Sequence, residues 1–411
     1  MDPLLSVEAA RERVLKEFTS LPAETVGLRE ALGRVLAGDL AARQDLPPFS
    51  NSSMDGYALR AGEIRGASAR NPIRLRVVLE VPAGTSPAAP LPPGAAARVM
   101  TGAPIPAGAD CVVPMEQTDL GSSPAALPSE IGILTAIPAG ANVRPAGFDL
   151  RAGETVLSRG ARLRPQEIAL LASLGESSIA VTRRPRIAVV STGSELVPVG
   201  RSLRPGEIFE SNSWMLGGLV SELGAQPILL DIAPDDPAEV GLRFDTAVER
   251  GADLILSSAG VSVGEYDYVR PVVEKRGRLS FWRVNLRPGR PLAFGRYRGV
   301  PLLGLPGNPV SSFVTFELFA RPAIAALLGS VPRPRPRVTA RLDQDLDSDG
   351  RESYLRAQAQ WDSGQWKVGL SGSQESSALS ALSRANSLIR LPAGTTHVPG
   401  GSPVEVWLLE D

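Results

Sequence analysis

The stretch Arg186-Ile187-Ala188-Val189-Val190-Ser191-Thr192-Gly193-Ser194-Glu195 decides the fold. Four consecutive apolar residues, Ile187 to Val190, show neither the period of a surface helix nor that of a half-exposed strand. They read as a strand buried on both faces, ending in a small polar loop. The same texture recurs downstream. A helix over Trp214–Leu223 stops at Gly224, Ile228–Ile232 is a strand, and Pro237–Arg250 is a helix. Leu254–Leu256 is a strand, a helix starts at Tyr268–Lys275, Pro301–Leu305 is a strand and Val310–Leu328 a long helix. This alternation predicts a doubly wound, mostly parallel α/β sheet over residues 184–331.

Toward the N-terminus, Ser6 can cap a helix whose apolar face is Val7, Ala10, Val14, Leu15 and Phe18, and Leu28–Leu40 reads as a second helical piece. Pro47 and Pro48 then force extended backbone. Residues 46–150 follow as short β-like runs broken by Pro and Gly, among them Ile73–Val81, Ala97–Met100 and Cys111–Met115, with Pro82–Ala97 as a loop. Gly153–Ser158 reads as a strand, and Pro165 opens a helix over Arg164–Gly175. Toward the C-terminus, Val331-Pro332-Arg333-Pro334-Arg335-Pro336 is a stiff linker. Beyond it, Arg337–Leu342, Ser353–Trp361, Trp366–Leu370, Ser387–Leu391 and Val404–Leu409 are short strands, giving an all-β module over 332–411.

Composition narrows the function. Lys+Arg 43 against Asp+Glu 44 leaves a net charge of -1 over 411 residues, so neither nucleic acid nor an anionic membrane is an expected partner. A single cysteine, Cys111, and a single histidine exclude an intrachain disulfide and Cys- or His-rich metal sites. The N-terminal stretch has no apolar core of a signal peptide, and no apolar run reaches membrane-spanning length. A cytoplasmic protein is expected.

In open α/β sheets, ligands bind beyond the carboxyl ends of the strands. Three such ends are unusual here: Ser191-Thr192-Gly193-Ser194-Glu195, Ser257 through Gly260 and Ser262 to Tyr268, and Gly304 through Pro306, Asn308, Pro309 and Ser311. Glycine permits close backbone approach, and the amides of a following helix favour an anion. One such loop is an ordinary turn; three on successive strand ends point to a phosphorylated or oxyanionic ligand. Glu195, Asp235 and Asp267 each lie just past a strand end. Carboxylates beside a phosphate imply a bridging divalent cation, Mg²⁺ by its preference for oxygen ligands. Asp235, shortly before Pro237, could equally cap the next helix. Arg287-Pro288-Gly289-Arg290-Pro291 presents two guanidinium forks in a stiff loop, suited to tetrahedral oxyanions. Gly260-Val261-Ser262-Val263-Gly264 matches a nucleophile elbow, but the sole histidine, His397, lies in a turn of the last module and Ser262 stands several residues past the strand. No Walker A sequence and no dinucleotide fingerprint is present.

Three further loops outside the α/β region share a small, polar character: Phe49–Ala58 around Asp55, Met100–Pro106 around Thr101, and Asn142–Asp149 with Arg144. The order Phe49–Ala58, Met100–Pro104, Thr192–Leu196, Gly260–Gly264 through Asp267-Tyr268, and Gly304–Ser311 closely resembles the MoeA family of molybdopterin molybdenumtransferases, related to the gephyrin E domain. The resemblance covers nearly the whole chain. It implies insertion of molybdenum from molybdate into adenylylated molybdopterin, with Mg²⁺ and release of AMP. It also implies a four-domain subunit: an elongated domain of residues 1–45 and 151–183, an inserted β-rich domain 46–150, the α/β domain 184–331 and a C-terminal β-barrel-like domain 332–411. A homodimer is implied, with the site in a cleft between the α/β domain and the partner's β module. A molybdopterin adenylyltransferase and cofactor acceptor proteins are implied as further partners. Asp55, Asp149, Glu195, Asp235 and Asp267 match the family's acids. Thr101, Arg144, Ser257, Gly260, Ser262, Arg287, Arg290, Pro306, Asn308, Pro309 and Ser311 are the matching substrate-binding positions. The chain departs from the family at Ala259 for glycine, Phe148 for an acid, and Arg283, Arg287 and Arg290 for lysines. Two other functions share parts of this pattern: pterin adenylylation on the α/β domain alone, and a non-catalytic gephyrin-like scaffold.

Overall fold

The computed structural model describes residues 4–121, 126–260, 268–330 and 334–409, apart from the side chain of Trp282. The chain forms two compact units. One comprises residues 1–38, 159–164 and 178–411, the other residues 39–158 and 165–177.

The first unit holds a six-stranded sheet in the order Gln226–Leu229, Arg186–Ser191, Leu254–Ser258, Val300–Leu305, Pro291–Tyr297, Gly277–Arg283. The first four strands run parallel, and Pro291–Tyr297 and Gly277–Arg283 add an antiparallel edge. Alternate residues of the strands enter two different cores. Ile187, Val189, Leu254 and Leu256 pack with the helices Asn212–Glu222 and Pro309–Leu327 and with the N-terminal helix Val7–Leu15. Ala188, Val190 and Ile255 pack instead with Pro237–Glu249 and Val269–Arg276. Burial on both faces is why Ile187–Val190 is unbrokenly apolar. Ser6 caps the N-terminal helix, its Oγ accepting from Ala9 N at 3.1 Å.

Among the described residues, Pro309–Leu327 is the one helix long and apolar enough to cross a bilayer. It is a core helix: Val310, Val314, Phe316, Phe319 and Ala320 are fully buried. It continues through a π-turn at Phe316–Ala320.

Beyond it, five strands close into a barrel in the order Glu352–Asp362, Gln365–Leu370, Arg337–Leu342, Pro403–Leu408, Ser387–Leu391, the last pairing back to the first. Leu286–Arg287 adds to this sheet by pairing parallel with Glu352–Ser353. Tyr354, Leu382, Leu388 and Trp407 from the barrel region share one core with Phe313 and Phe316.

The second unit is built on a five-stranded sheet, Cys111–Pro114, Gly56–Leu59, Ala95–Val99, Ser68–Val81, Glu130–Thr135 in spatial order. Its cores lie around Tyr57, Ala96, Val113 and Ile131 on one face and Ala58, Ala97, Val99 and Val112 on the other.

The expected helix over Leu28–Leu40 does not form. Residues 28–33 make turns, Gly33 takes φ +75°, and Val35 and Leu36 bridge to Arg162 and Val181. Strand pairing with distant backbone overrides a helical pattern that runs little more than one turn before its glycine.

Candidate functional site

The carboxyl ends of three central strands and the barrel enclose a cavity of about 820 Å³ within the first unit. Thr192 and Glu195 follow the strand Arg186–Ser191; Ser258, Ala259 and Gly260 end the next; Pro306, Gly307, Asn308, Pro309 and Ser311 follow Val300–Leu305. Arg287, Pro288, Gly289 and Arg290 form a further side. Arg351, Arg356 and Gln374 to Ser377 from the barrel complete the wall. Of the residues expected to bind substrate, Gly260, Arg287, Arg290, Pro306, Asn308, Pro309 and Ser311 therefore line one cavity.

The loops are tied by buried polar side chains. Asn212 donates through Nδ2 to Ser258 Oγ and to the Gly307 carbonyl, both at 2.6 Å, joining two strand ends. Its Oδ1 is buried with no hydrogen-bond partner. Glu210, buried, accepts from Ser191 Oγ at 2.8 Å and Ser213 N at 2.7 Å. Asn308 Nδ2 donates to Ser376 Oγ at 2.7 Å and fastens the third loop to the barrel.

The most telling group is Arg356, which is 0 % exposed and forms no ion pair with a described carboxylate. Its Nη2 donates to the carbonyls of Ser373 and Glu375 at 2.8 and 2.9 Å, and its buried Nε has no partner. Burial lowers its pKa, Glu375 nearby offsets this in part, and Arg287 adds to the lowering. A buried guanidinium short of counter-charge on a cavity wall is a site built for an anion. Arg351, by contrast, is spent: it holds Asp349 through Nε at 2.9 Å and the Leu286 carbonyl through Nη1 at 3.2 Å.

Glu195 is exposed at the cavity, and a Cβ at Gly193 would fall 2.7 Å from its Oε2, so the glycine makes room for the carboxylate. Asp235 is locked to the same loop, accepting from Ser194 N at 3.0 Å while its own N–H donates to Ser194 Oγ at 3.0 Å. Asp235 does not cap the next helix; Asp236 does, accepting from Ala238 N and Glu239 N. Asp267 and Ser262 lie outside the described residues. Among the described residues no group of three or more His, Cys, Asp or Glu side chains gathers as a metal site. Glu195 and Asp235 are nonetheless the oxygen donors that suit Mg²⁺, which takes one or two carboxylates and fills its octahedron with water and substrate phosphate.

Ser257 is not among the residues that line the cavity. It is fully buried in the strand Leu254–Ser258 and its Oγ is unpartnered, but the adjacent Ser258 is the residue that lines the cavity.

In the second unit, Asp55 accepts from Thr101 N at 2.7 Å and Thr101 Oγ1 at 2.8 Å. These donors hold the carboxyl below its ordinary value, slightly opposed by burial. Asn51 pairs with Arg144, Gly102 N donates to the Ser52 carbonyl and Ser53 N to the Asn142 carbonyl. The three small polar loops picked out in the sequence thus converge, with Asp55, Thr101 and Arg144 on them. Asp149 is exposed, its N–H donating to the Leu46 carbonyl at 2.9 Å.

Sequence reasoning missed Glu210, Asn212, Arg351, Arg356 and the Gln374–Ser377 segment. Glu210 and Asn212 precede the helix expected over Trp214–Leu223 and carry no motif, and Arg356 stood in the expected strand Ser353–Trp361 of the terminal module.

Residues 5–175 match the MoeA N-terminal region (domain I and II), 188–326 the probable molybdopterin binding domain, and 339–409 the MoeA C-terminal region (domain IV). The chain is 40% identical over 391 residues to molybdopterin molybdenumtransferase 2 of Mycobacterium tuberculosis, covering 93% of this chain and 94% of that protein. It is 39% identical to the molybdopterin molybdenumtransferase of a Nostoc species, covering 94% and 88%. The crystal structure of the molybdopterin biosynthesis MoeA protein of Pyrococcus horikoshii superposes with a TM-score of 0.86 at 30% identity over 100% of both chains.

Proposed function

The chain belongs to the MoeA family, enzymes of molybdenum cofactor biosynthesis, and from that premise we propose that its cavity takes adenylylated molybdopterin and molybdate and inserts the metal with release of AMP. The observation that carries this reading is Arg356, a fully buried cation on the wall of a large cavity that forms no direct ion pair among the described residues, with only Glu375 nearby to offset its charge in part. Molybdate is a tetrahedral dianion, and the phosphoanhydride of the adenylylated pterin is anionic as well. Arg356, held by two carbonyls, and Arg287 and Arg290, which line the same cavity, supply positive charge for both. Breaking a phosphoanhydride needs charge neutralisation and positioning rather than a protein nucleophile.

Mg²⁺, when bound, would lower the charge on the bridging phosphates, and Glu195 and Asp235 are the described residues that would hold it. Asn212 ties the Ser258 strand end to the Gly307 loop, and Glu210 ties its own segment to Ser191 at the end of the first strand. The enzyme acts as a homodimer in this reading, the Asp55 loop of one chain serving the cavity of the other.

Incubation with adenylylated molybdopterin and Mg²⁺ should release AMP on addition of molybdate or tungstate. No AMP with either oxyanion overturns the proposal, and adenylylation of the pterin from ATP would point to the adenylyltransferase reaction instead.

A further inference from the structure

We propose that Phe209 is a stacking platform for a planar heteroaromatic ring of the substrate, and so a specificity-determining residue of the cavity; this rests on the substrate reading above. Phe209 is the only aromatic side chain among the described residues that line the cavity. It stands 42% exposed beside Ile208 at 54%, an arrangement that is unfavourable in water unless something covers it. Other exposed apolar side chains of the same region, Val199, Leu203 and Trp214, do not line the cavity.

The exposure is not that of a loose loop. Ile208 N donates to the Glu195 carbonyl and Glu210 N to the Val197 carbonyl, both at 2.9 Å, so hydrogen bonds flank Phe209 on either side. Ile208–Phe209 pairs in register with Leu196–Val197. The next residue, Glu210, is anchored in the interior by Ser191 and Ser213. The sequence thus fixes the backbone, buries the carboxylate at 210 and leaves Phe209 partly exposed on the cavity wall. A rigid aromatic face with two rotatable bonds binds a flat ring with little loss of side-chain entropy. The cavity therefore has two chemistries: arginines for the anionic groups, and an apolar strand pair for a ring.

The substrate carries two rings of this class, the pterin and the adenine. Binding of AMP, of 6-hydroxymethylpterin and of molybdate should be measured on wild type, Phe209→Leu, Phe209→Ala and Phe209→Trp. Loss of the ring face in the leucine and alanine variants should weaken one of the two ring ligands roughly tenfold, the stacking range for aromatic side chains, while tryptophan retains affinity. Weakening confined to AMP assigns the platform to adenine, and weakening confined to the pterin assigns it to that ring; either supports the proposal. Molybdate affinity should stay within about twofold, since no ring is involved. Leucine keeps the apolar volume, so it guards against failure of the alanine variant to fold. Ring ligands that bind Phe209→Leu as tightly as wild type overturn the proposal, as does an equal loss of molybdate. Wild type that releases AMP normally while the leucine variant is unaffected overturns Phe209 alone; wild type that binds neither ring ligand nor releases AMP overturns the substrate reading beneath it.

Discussion

Ala259 is held at φ +76°, in the left-handed region that glycine occupies freely and alanine does not. A Cβ at Gly307 would meet the Ala259 Cβ at 3.0 Å, so the two loops have room for one methyl between them, not two. Replacing Ala259 by glycine relieves roughly 1 kcal/mol of backbone strain, partly offset by the greater freedom of an unfolded glycine. The Ala259→Gly protein should be as stable as wild type or up to about 1 kcal/mol more stable in urea denaturation. Gly307→Ala should lose on the order of 1–3 kcal/mol in the parent and much less in the Ala259→Gly background. Equal losses in both backgrounds would show that the two positions do not share that space.

Asp55 supplies the second prediction at this scale. Its pKa lies below 3.8 because Thr101 gives it two hydrogen bonds, one from the backbone and one from Oγ1. The pair's stabilisation is therefore complete above the unfolded value and fades as pH falls through the lowered folded one. Thr101→Val removes the hydroxyl bond alone, and carboxyl NMR titration of Asp55 should show its midpoint moving up toward the ordinary value. An unmoved midpoint would leave the backbone donor as the sole cause.

At the scale of elements, the π-turn in Pro309–Leu327 has an identifiable anchor. Glu317 is buried at 5% exposure and receives forks from Arg321 Nε at 2.7 Å and Arg335 Nε at 3.0 Å. Burial raises its pKa, but the two arginines more than offset this and the net shift is downward. Arg335 opens the barrel and also donates to the Leu409 carbonyl, so Glu317 fastens the helix to both ends of the C-terminal module. Glu317→Gln leaves two guanidinium groups short of their counter-charge and should cost about 3 kcal/mol at neutral pH, read from the urea midpoint. The wild-type advantage should be complete above the ordinary glutamate value of 4.5 and shrink as pH falls through the lowered one.

Elements also mark what was legible in the sequence. The parallel strands, their helices and the barrel strands announced themselves through apolar runs bounded by Gly and Pro. The antiparallel edge did not: Gly277 and Gly295 interrupt it because a Cβ at either would strike the neighbouring strand's backbone. A sheet covered on both faces gives no clue to which serine faces a ligand, so Ser257 and Ser258 could not be told apart. The Arg356 wall was illegible because strand pattern alone does not say what a β module packs against.

At the scale of the whole molecule, the acids expected to act together are divided between the units: Asp55 stands on the second, Glu195 and Asp235 on the first. If each site of a homodimer draws Asp55 from one chain and Glu195 from the other, the two substitutions Asp55→Asn and Glu195→Gln complement each other. Each variant alone assembles two dead sites. In a mixed dimer one site receives both substitutions and the other receives neither. Random reassociation places half the chains in mixed dimers with one of two sites intact, so activity should return to about a quarter of the wild-type rate. Sites contained within a single chain would return nothing on mixing, because every chain would carry one lesion. Dissociating and remixing the purified variants and measuring molybdate-dependent AMP release separates the two architectures. Size-exclusion chromatography of the mixture must show dimers throughout, since recovery in a monomeric mixture would contradict the shared site.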